Sequence, residues 1–170
     1  MILVSYDGSA DAQAAIDRVA QLTPGVQATV LTVWEPFMDS LARKASPGMG
    51  LGMLGTFEYA QSEEIDARTR DAALATATEG AERATAAGLV ATPQVESRAG
   101  DVATTILAVA EHADAEVIVM GTRGLSGVKA FLLGSVSHSV VQHADRPVLV
   151  VPSGDLAERR RSSVDSDAAA

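Results

Sequence analysis

Short apolar runs alternate along this chain with longer segments in which apolar residues recur at helical spacing. That alternation predicts an α/β fold, in which strands buried on both faces form a mostly parallel sheet and helices connect them. Ile2 to Ser5 reads as the first strand. Ser9 suits an N-cap, because its side chain can accept from an unpaired N–H of the first turn. Ile16, Val19 and Ala20 then form the apolar stripe of the following helix. Pro24-Gly25 ends that helix, and Val26 to Val33 is the second strand. A long helix rich in Ala, Glu and Arg is expected from about Thr56 to Ala87, with Gly88 as its C-cap and Gly80 as a weak point or bend. The third strand is about Thr92 to Ser97, and Asp101 caps a helix that turns Ile106, Leu107 and Ala110 to the sheet. Glu116 to Met120 is the fourth strand, a helix starts at Ser135, and Pro147 to Val151 is the fifth strand.

Two stretches break the pattern. The interruption from Trp34 to Gly55 includes Pro47 to Gly55, which has four glycines and no stable period. Both a mobile lid over a site and a plain surface loop fit it. After Pro152 the chain turns polar, so residues 1–152 are expected to form one domain and residues 153–170 a disordered tail. Within that tail Arg159-Arg160-Arg161 stands beside Ser162 and resembles a basophilic kinase site, although a solvated, unmodified tail also accounts for it.

Composition narrows the function. The chain has 170 residues, 47% of them apolar, enough to bury a substantial core. Its net charge of −9 argues against nucleic acid as a partner. No apolar run approaches the ~20 residues that span a bilayer. The absence of cysteine removes disulfides and thiolate metal sites. The first strand follows Met1 directly, leaving no room for a secretory signal, so a soluble cytoplasmic protein without a membrane partner is expected.

The chemistry concentrates in Gly121-Thr122-Arg123-Gly124, followed after nine residues by Gly134-Ser135. An apolar strand precedes this motif and a helix follows it. Glycines let the backbone approach an anion closely, and the first N–H groups of a helix lack intrahelical acceptors, so a phosphate cradle is expected here. Arg123 and Lys129 are the only cations between Gly121 and Ser135, which leaves most of the phosphate binding to backbone N–H groups. The pattern is neither a Walker loop nor the dinucleotide Gly-x-Gly-x-x-Gly motif.

In an open parallel sheet, ligands lie beyond the carboxyl ends of the strands, where strand order reverses. The segments Ser5-Tyr6-Asp7-Gly8-Ser9 and Val33-Trp34 should converge there with the glycine loop. Asp7 suits hydrogen bonds from a ribose or adenine, and it equally suits a turn before a helix. Trp34 is expected to report on ligand at the adenine edge. His138 and His143 stand about 140° apart around a helix and do not face one metal. His112 is isolated, and Glu63, Glu64, Asp66 and Asp71 read as a solvated face. No metal site, catalytic residue or convincing general base emerges.

These segments resemble the nucleotide-binding branch of the universal stress protein family. The resemblance rests on Val4-Ser5-Tyr6-Asp7-Gly8-Ser9, Leu31-Thr32-Val33, Val119-Met120-Gly121-Thr122-Arg123-Gly124, Gly134-Ser135-Val136-Ser137 and Arg146-Pro147-Val148-Leu149-Val150-Val151. It covers roughly residues 1–152. It implies a flavodoxin-like sheet of order 3-2-1-4-5, with Asp7 and Val33 at the adenine and Met120 and Gly121 along the nucleoside. Gly124, Gly134, Ser135, Val136 and Ser137 would hold the phosphates, and Ser5, Tyr6 and Arg123 belong to the same expected set. His138 departs from the family pattern, where an acidic residue is common.

The implied protein is an ATP-binding regulator of a stress response, with Mg as an optional companion of ATP and AMP or cyclic AMP as alternative ligands. A slow ATPase or phosphotransfer enzyme and a nucleotide-independent interaction protein are the other classes considered. An expected homodimer pairs Val148 to Val151, an apolar edge strand with no charged gatekeeper.

Overall fold

The computed structural model describes residues 1–44, 59–124, 133–154 and 157–158. The Pro47 to Gly55 loop, Lys129, the first residues of the expected long helix and the arginine run of the tail lie outside the described residues.

Five parallel strands, β1 (Ile2–Ser5), β2 (Gln27–Trp34), β3 (Val90–Ser97), β4 (Val117–Gly121) and β5 (Val148–Val151), form one sheet in the order β3-β2-β1-β4-β5. Five helices complete the described structure: α1 (Ala10–Leu22), α2 (Phe37–Lys44), α3 (Tyr59–Ala86), α4 (Val102–His112) and α5 (Ser135–His143). The α/β class and the strand order are those the hydrophobic pattern and the family resemblance anticipate.

Strand alternation divides the core in two. Val4, Val30 and Val119 join Ile16, Val19, Ala81 and Ala84 on the face covered by α1 and α3. Leu3, Leu31, Ile118 and Met120 join Ile106, Ala110 and Val140 on the face covered by α4 and α5. β1 sits between β2 and β4, with Val4 beside both Val30 and Val119. The chain goes from β1 to one neighbour and returns later to the other. This reversal leaves a crevice at the carboxyl ends of the two inner strands.

Local signals set most of the boundaries. Ser9 accepts from the Ala12 N–H at 3.3 Å and Asp101 from the Thr104 N–H at 2.7 Å, so both expected N-caps form. Gly88, at φ +102, takes the left-handed conformation that ends α3, and the Leu89 N–H bonds to Ala84 O at 3.0 Å. β2 ends one residue later than expected, and β3 begins earlier, at Val90.

Two features were not anticipated. α2 is a short helix, which tertiary contact secures: the Phe37 N–H donates to the Asp66 carboxylate on α3 at 2.6 Å. Gly80 has a packing role that helix propensity does not reveal. α3 meets the sheet through Ala73, Ala77, Ala81 and Ala84, and this small-residue stripe brings Gly80 against the Tyr6 ring.

Candidate functional site

A cavity of about 390 Å³ opens in that crevice. Ser5 and Asp7 reach it from the end of β1, Val33 from β2, and Met120 and Gly121 from β4. Arg123 and Gly124 line it from the following loop, and Gly134, Ser135, Val136 and Ser137 from the start of α5. Ala12 and Val102 complete the wall; neither stands out in the sequence, because small and apolar residues at helix starts carry no distinctive pattern.

Tyr6 is a correction to the expected set. It is 2% exposed and lies in the core on the α1 and α3 side, away from the cavity lining. Its N–H continues the ladder to Leu31 O at 2.8 Å, and the alternation that turns Ser5 and Asp7 to the cavity turns Tyr6 the other way. Burial, reinforced by the hydrogen bond its hydroxyl donates to Glu79 at 2.6 Å, pushes the Tyr6 pKa up to about 12. Trp34 is also absent from the lining, and alternation along β2 sets it opposite Val33.

Space, not an unusual dihedral, requires glycine at Gly121, where backbone blocks a side chain, while Gly124 faces only a movable side chain and Gly134 is merely tight. A Cβ on Gly121 would stand 2.7 Å from the Asp11 backbone carbon, and one on Gly124 would stand 2.5 Å from Asp7 Oδ2. At Gly134 the nearest atom to such a Cβ is Thr122 O, at 3.3 Å. Gly134 is also the N-cap of α5 and supplies no side chain to bond the first-turn N–H groups. The result is a concave edge rich in backbone donors, next to an apolar wall of Val33, Met120 and Val102.

Asp7 joins the two halves. Its Oδ1 accepts from the Ser9 N–H at 3.0 Å, while its Oδ2 faces Gly124 across the cavity mouth. The turn expected of Asp7 is thus present, and the same carboxylate lines the cavity. The Ser137 hydroxyl lies 2.8 Å from Thr122 O and 3.0 Å from Gly134 O, so its proton is committed to holding the loop together.

Thr122, given no role of its own within the motif, and Asp11, which the sequence does not single out, anchor the loop beneath the cavity. Thr122 is 2% exposed and bonds in four directions. Its N–H donates to Val151 O at 3.0 Å, its carbonyl accepts from Gly134 N–H and Ser137, and its hydroxyl donates to Asp11. Asp11 is 6% exposed, and Arg123 Nε lies 3.7 Å from its Oδ2. Burial alone would raise the Asp11 carboxyl. Hydrogen bonds from Thr122 and Ser153, with the Arg123 charge, outweigh it and hold the group below its ordinary value of 3.8. An acidic residue in the first turn of a helix is usually a solvated dipole partner, which is why the sequence conceals this role.

A stability prediction follows. Thr122→Val keeps the shape but removes the donor from a buried carboxylate, and it is expected to cost about 1–3 kcal/mol. Because the folded Asp11 pKa is depressed, its stabilisation is present above the ordinary carboxylate value and is lost as pH falls through the lower, folded value. Urea midpoints of wild type and Asp11→Asn should therefore differ most near neutral pH and draw together below about pH 4. A gap that stays constant down to pH 3 would remove the charge of Asp11 from the account.

Among the described residues, no group of three or more His, Asp or Glu is placed to hold a metal ion. The cavity pairs an apolar wall with a carboxylate and an edge lined by backbone N–H groups.

Comparison with known proteins agrees with this architecture. The model of the universal stress protein family matches residues 1–152. A Thermus aquaticus protein, named as the universal stress protein in the QAH/OAS sulfhydrylase 3' region, is 34% identical over 152 residues, covering 88% of this chain and 96% of the relative. The solved structure of the hypothetical protein MJ0577 superposes with a TM-score of 0.68 at 21% identity, covering 89% of this chain and 94% of its own. A universal stress protein solved in complex with cAMP gives a TM-score of 0.53 at 25% identity, covering 90% of this chain and 96% of its own.

Proposed function

The chain belongs to the universal stress protein family, and we propose that it is a regulatory protein that binds an adenine nucleotide, ATP foremost, in the cavity beside β1 and β4. One observation carries this: an apolar slot, a ribose-competent carboxylate and a donor-lined glycine edge are contiguous in a single cavity. In the proposed pose the adenine lies against Val33 and Met120, and Asp7 accepts from the nucleoside. Gly124, Gly134 and the α5 N-terminus receive the phosphates, and Mg would accompany those phosphates. The neighbour that binds cAMP supports an adenine ligand. Binding without efficient turnover fits a site in which, among the described residues, no side chain stands out as a general base. No helix among the described residues is long and apolar enough to cross a membrane, and we place the stress-response role in the cytoplasm.

Mass spectrometry of ligand released from the purified chain, with calorimetry against ATP, AMP, cyclic AMP and GTP, tests the proposal. Saturable heat with ATP and none with GTP is expected. No heat with any adenine nucleotide would overturn it.

We also propose a homodimer through β5. This strand is a sheet edge, its residues Val148, Leu149 and Val150 are half-buried, and two copies could pair by two-fold symmetry. Light scattering at micromolar concentration should give a dimer for the full chain and for a chain truncated after Gly154. A full-length monomer would defeat the proposal, with dimerisation only on truncation showing that the tail covers the edge.

A further inference from the structure

The cleft continues past the start of α5. A second lobe of about 380 Å³ opens beside the first, and the two share Val102, Ser135 and Val136. They therefore meet at the α5 N-terminus and are nearly equal in size. Arg43 from α2 and Arg98 from the segment after β3 wall the second lobe, with Asp101 and Ser139. Both guanidinium groups converge on Glu35, Arg98 at 3.2 Å. Arg98 also donates from Nε to Gly100 O at 2.8 Å. Each side chain is thus held in place with N–H donors to spare, since a guanidinium carries five.

Arg43, Arg98 and Asp101 are the charged residues that wall this lobe, and Glu35, which pairs with both arginines from outside its lining, brings the local charge to balance. A balanced lobe gives little attraction to a bare phosphate. Spare guanidinium donors, the Asp101 carboxylate, whose Oδ1 also caps α4, and the Ser139 hydroxyl instead match a neutral group that both donates and accepts. A nucleoside is such a group: its sugar hydroxyls donate to carboxylates, its base edge accepts from guanidinium, and its ring stacks on a guanidinium plane. We propose that the two-lobed cleft binds a dinucleoside polyphosphate, with the second nucleoside between Arg43 and Arg98 and the phosphate bridge at the α5 N-terminus. The inference rests on the nucleotide reading of the first lobe.

Calorimetry on the full chain with AMP, ATP and diadenosine tetraphosphate tests it, using wild type and Arg43→Gln. Arg43 is half-exposed and among the described residues its one ion pair is to Glu35, so the fold should survive the change, as thermal melting would verify. The dinucleotide is expected to bind wild type about tenfold more tightly than ATP. Arg43→Gln should erase that margin and leave AMP and ATP unchanged. Ser139→Leu, which fills the same lobe from α5, should do likewise. Equal affinity for ATP and the dinucleotide, or a margin that survives both substitutions, would overturn the second lobe alone. Wild type that binds neither AMP nor ATP would overturn the nucleotide proposal and this inference together.

Discussion

Gly124→Asp is expected to weaken adenine-nucleotide binding by at least ~100-fold while leaving the melting temperature near that of wild type. Gly124 is exposed at the cavity mouth, so no core contact depends on it. Any side chain there starts 2.5 Å from Asp7 Oδ2, so that carboxylate must turn aside to admit its Cβ. An aspartate adds a second negative charge where the phosphates are proposed to sit. Two like charges about 4 Å apart repel by about 4 kcal/mol at the effective dielectric of a protein surface. The nearby Arg123 cannot offset this fully, because buried Asp11 already draws on its charge. Binding and melting should be measured on the same preparation. Unchanged affinity in a folded variant would remove Gly124 from the phosphate site, and Gly124→Ala separates the steric part from the electrostatic part.

Gly80→Ala is expected to destabilise the protein, although helix propensity alone would have it stabilise α3 by about 1 kcal/mol. The added Cβ would stand 2.6 Å from Cδ1 of Tyr6 and 2.9 Å from Cε1 and Cγ. That ring cannot withdraw: it is 2% exposed and its hydroxyl is tied to Glu79, one residue before Gly80. Overpacking in such a core costs about 1–3 kcal/mol, so after the propensity gain a net loss of up to about 2 kcal/mol is expected for Ala and a larger one for Val. At this chain length each kcal/mol lowers Tm by about 2–4 °C. In a Tyr6→Leu background the smaller side chain frees the space, and Gly80→Ala should then stabilise. A stabilising Gly80→Ala in the wild-type background would show that α3 shifts to admit the methyl group.

Much of the fold and most of the cavity lining were legible in the sequence, for reasons visible in particular residues. The β1, β4 and β5 runs are nearly continuous apolar segments, as strands covered on both faces must be. Ser9, Asp101 and Gly88 mark helix ends through bonds that involve only near neighbours in the chain. The glycine spacing of the loop after β4 is likewise a local signal, since it reports where backbone must pass close to something.

What that backbone passes close to is not local. Tyr6 and Ser5 are adjacent and looked equally suited to the site, yet pleating sends Tyr6 to the α3 side, where Glu79 and Gly80 wait 73 and 74 positions along the chain. Asp11 reads as an ordinary first-turn acid until β4 brings Thr122 above it from 111 residues away. Arg43 and Arg98 are unremarkable surface residues in the sequence, and only the placement of α2 beside the end of β3 lets them share Glu35. The sequence by itself determined the order along the chain of the strands and of every helix but α2, the caps of α1 and α4, and the loop built for close approach, because periodicity and capping act within a few residues. The tertiary structure alone decided which side of each strand met the cavity, which carboxylate was buried and which arginines converged, because burial and pairing depend on segments that are close in space and distant along the chain.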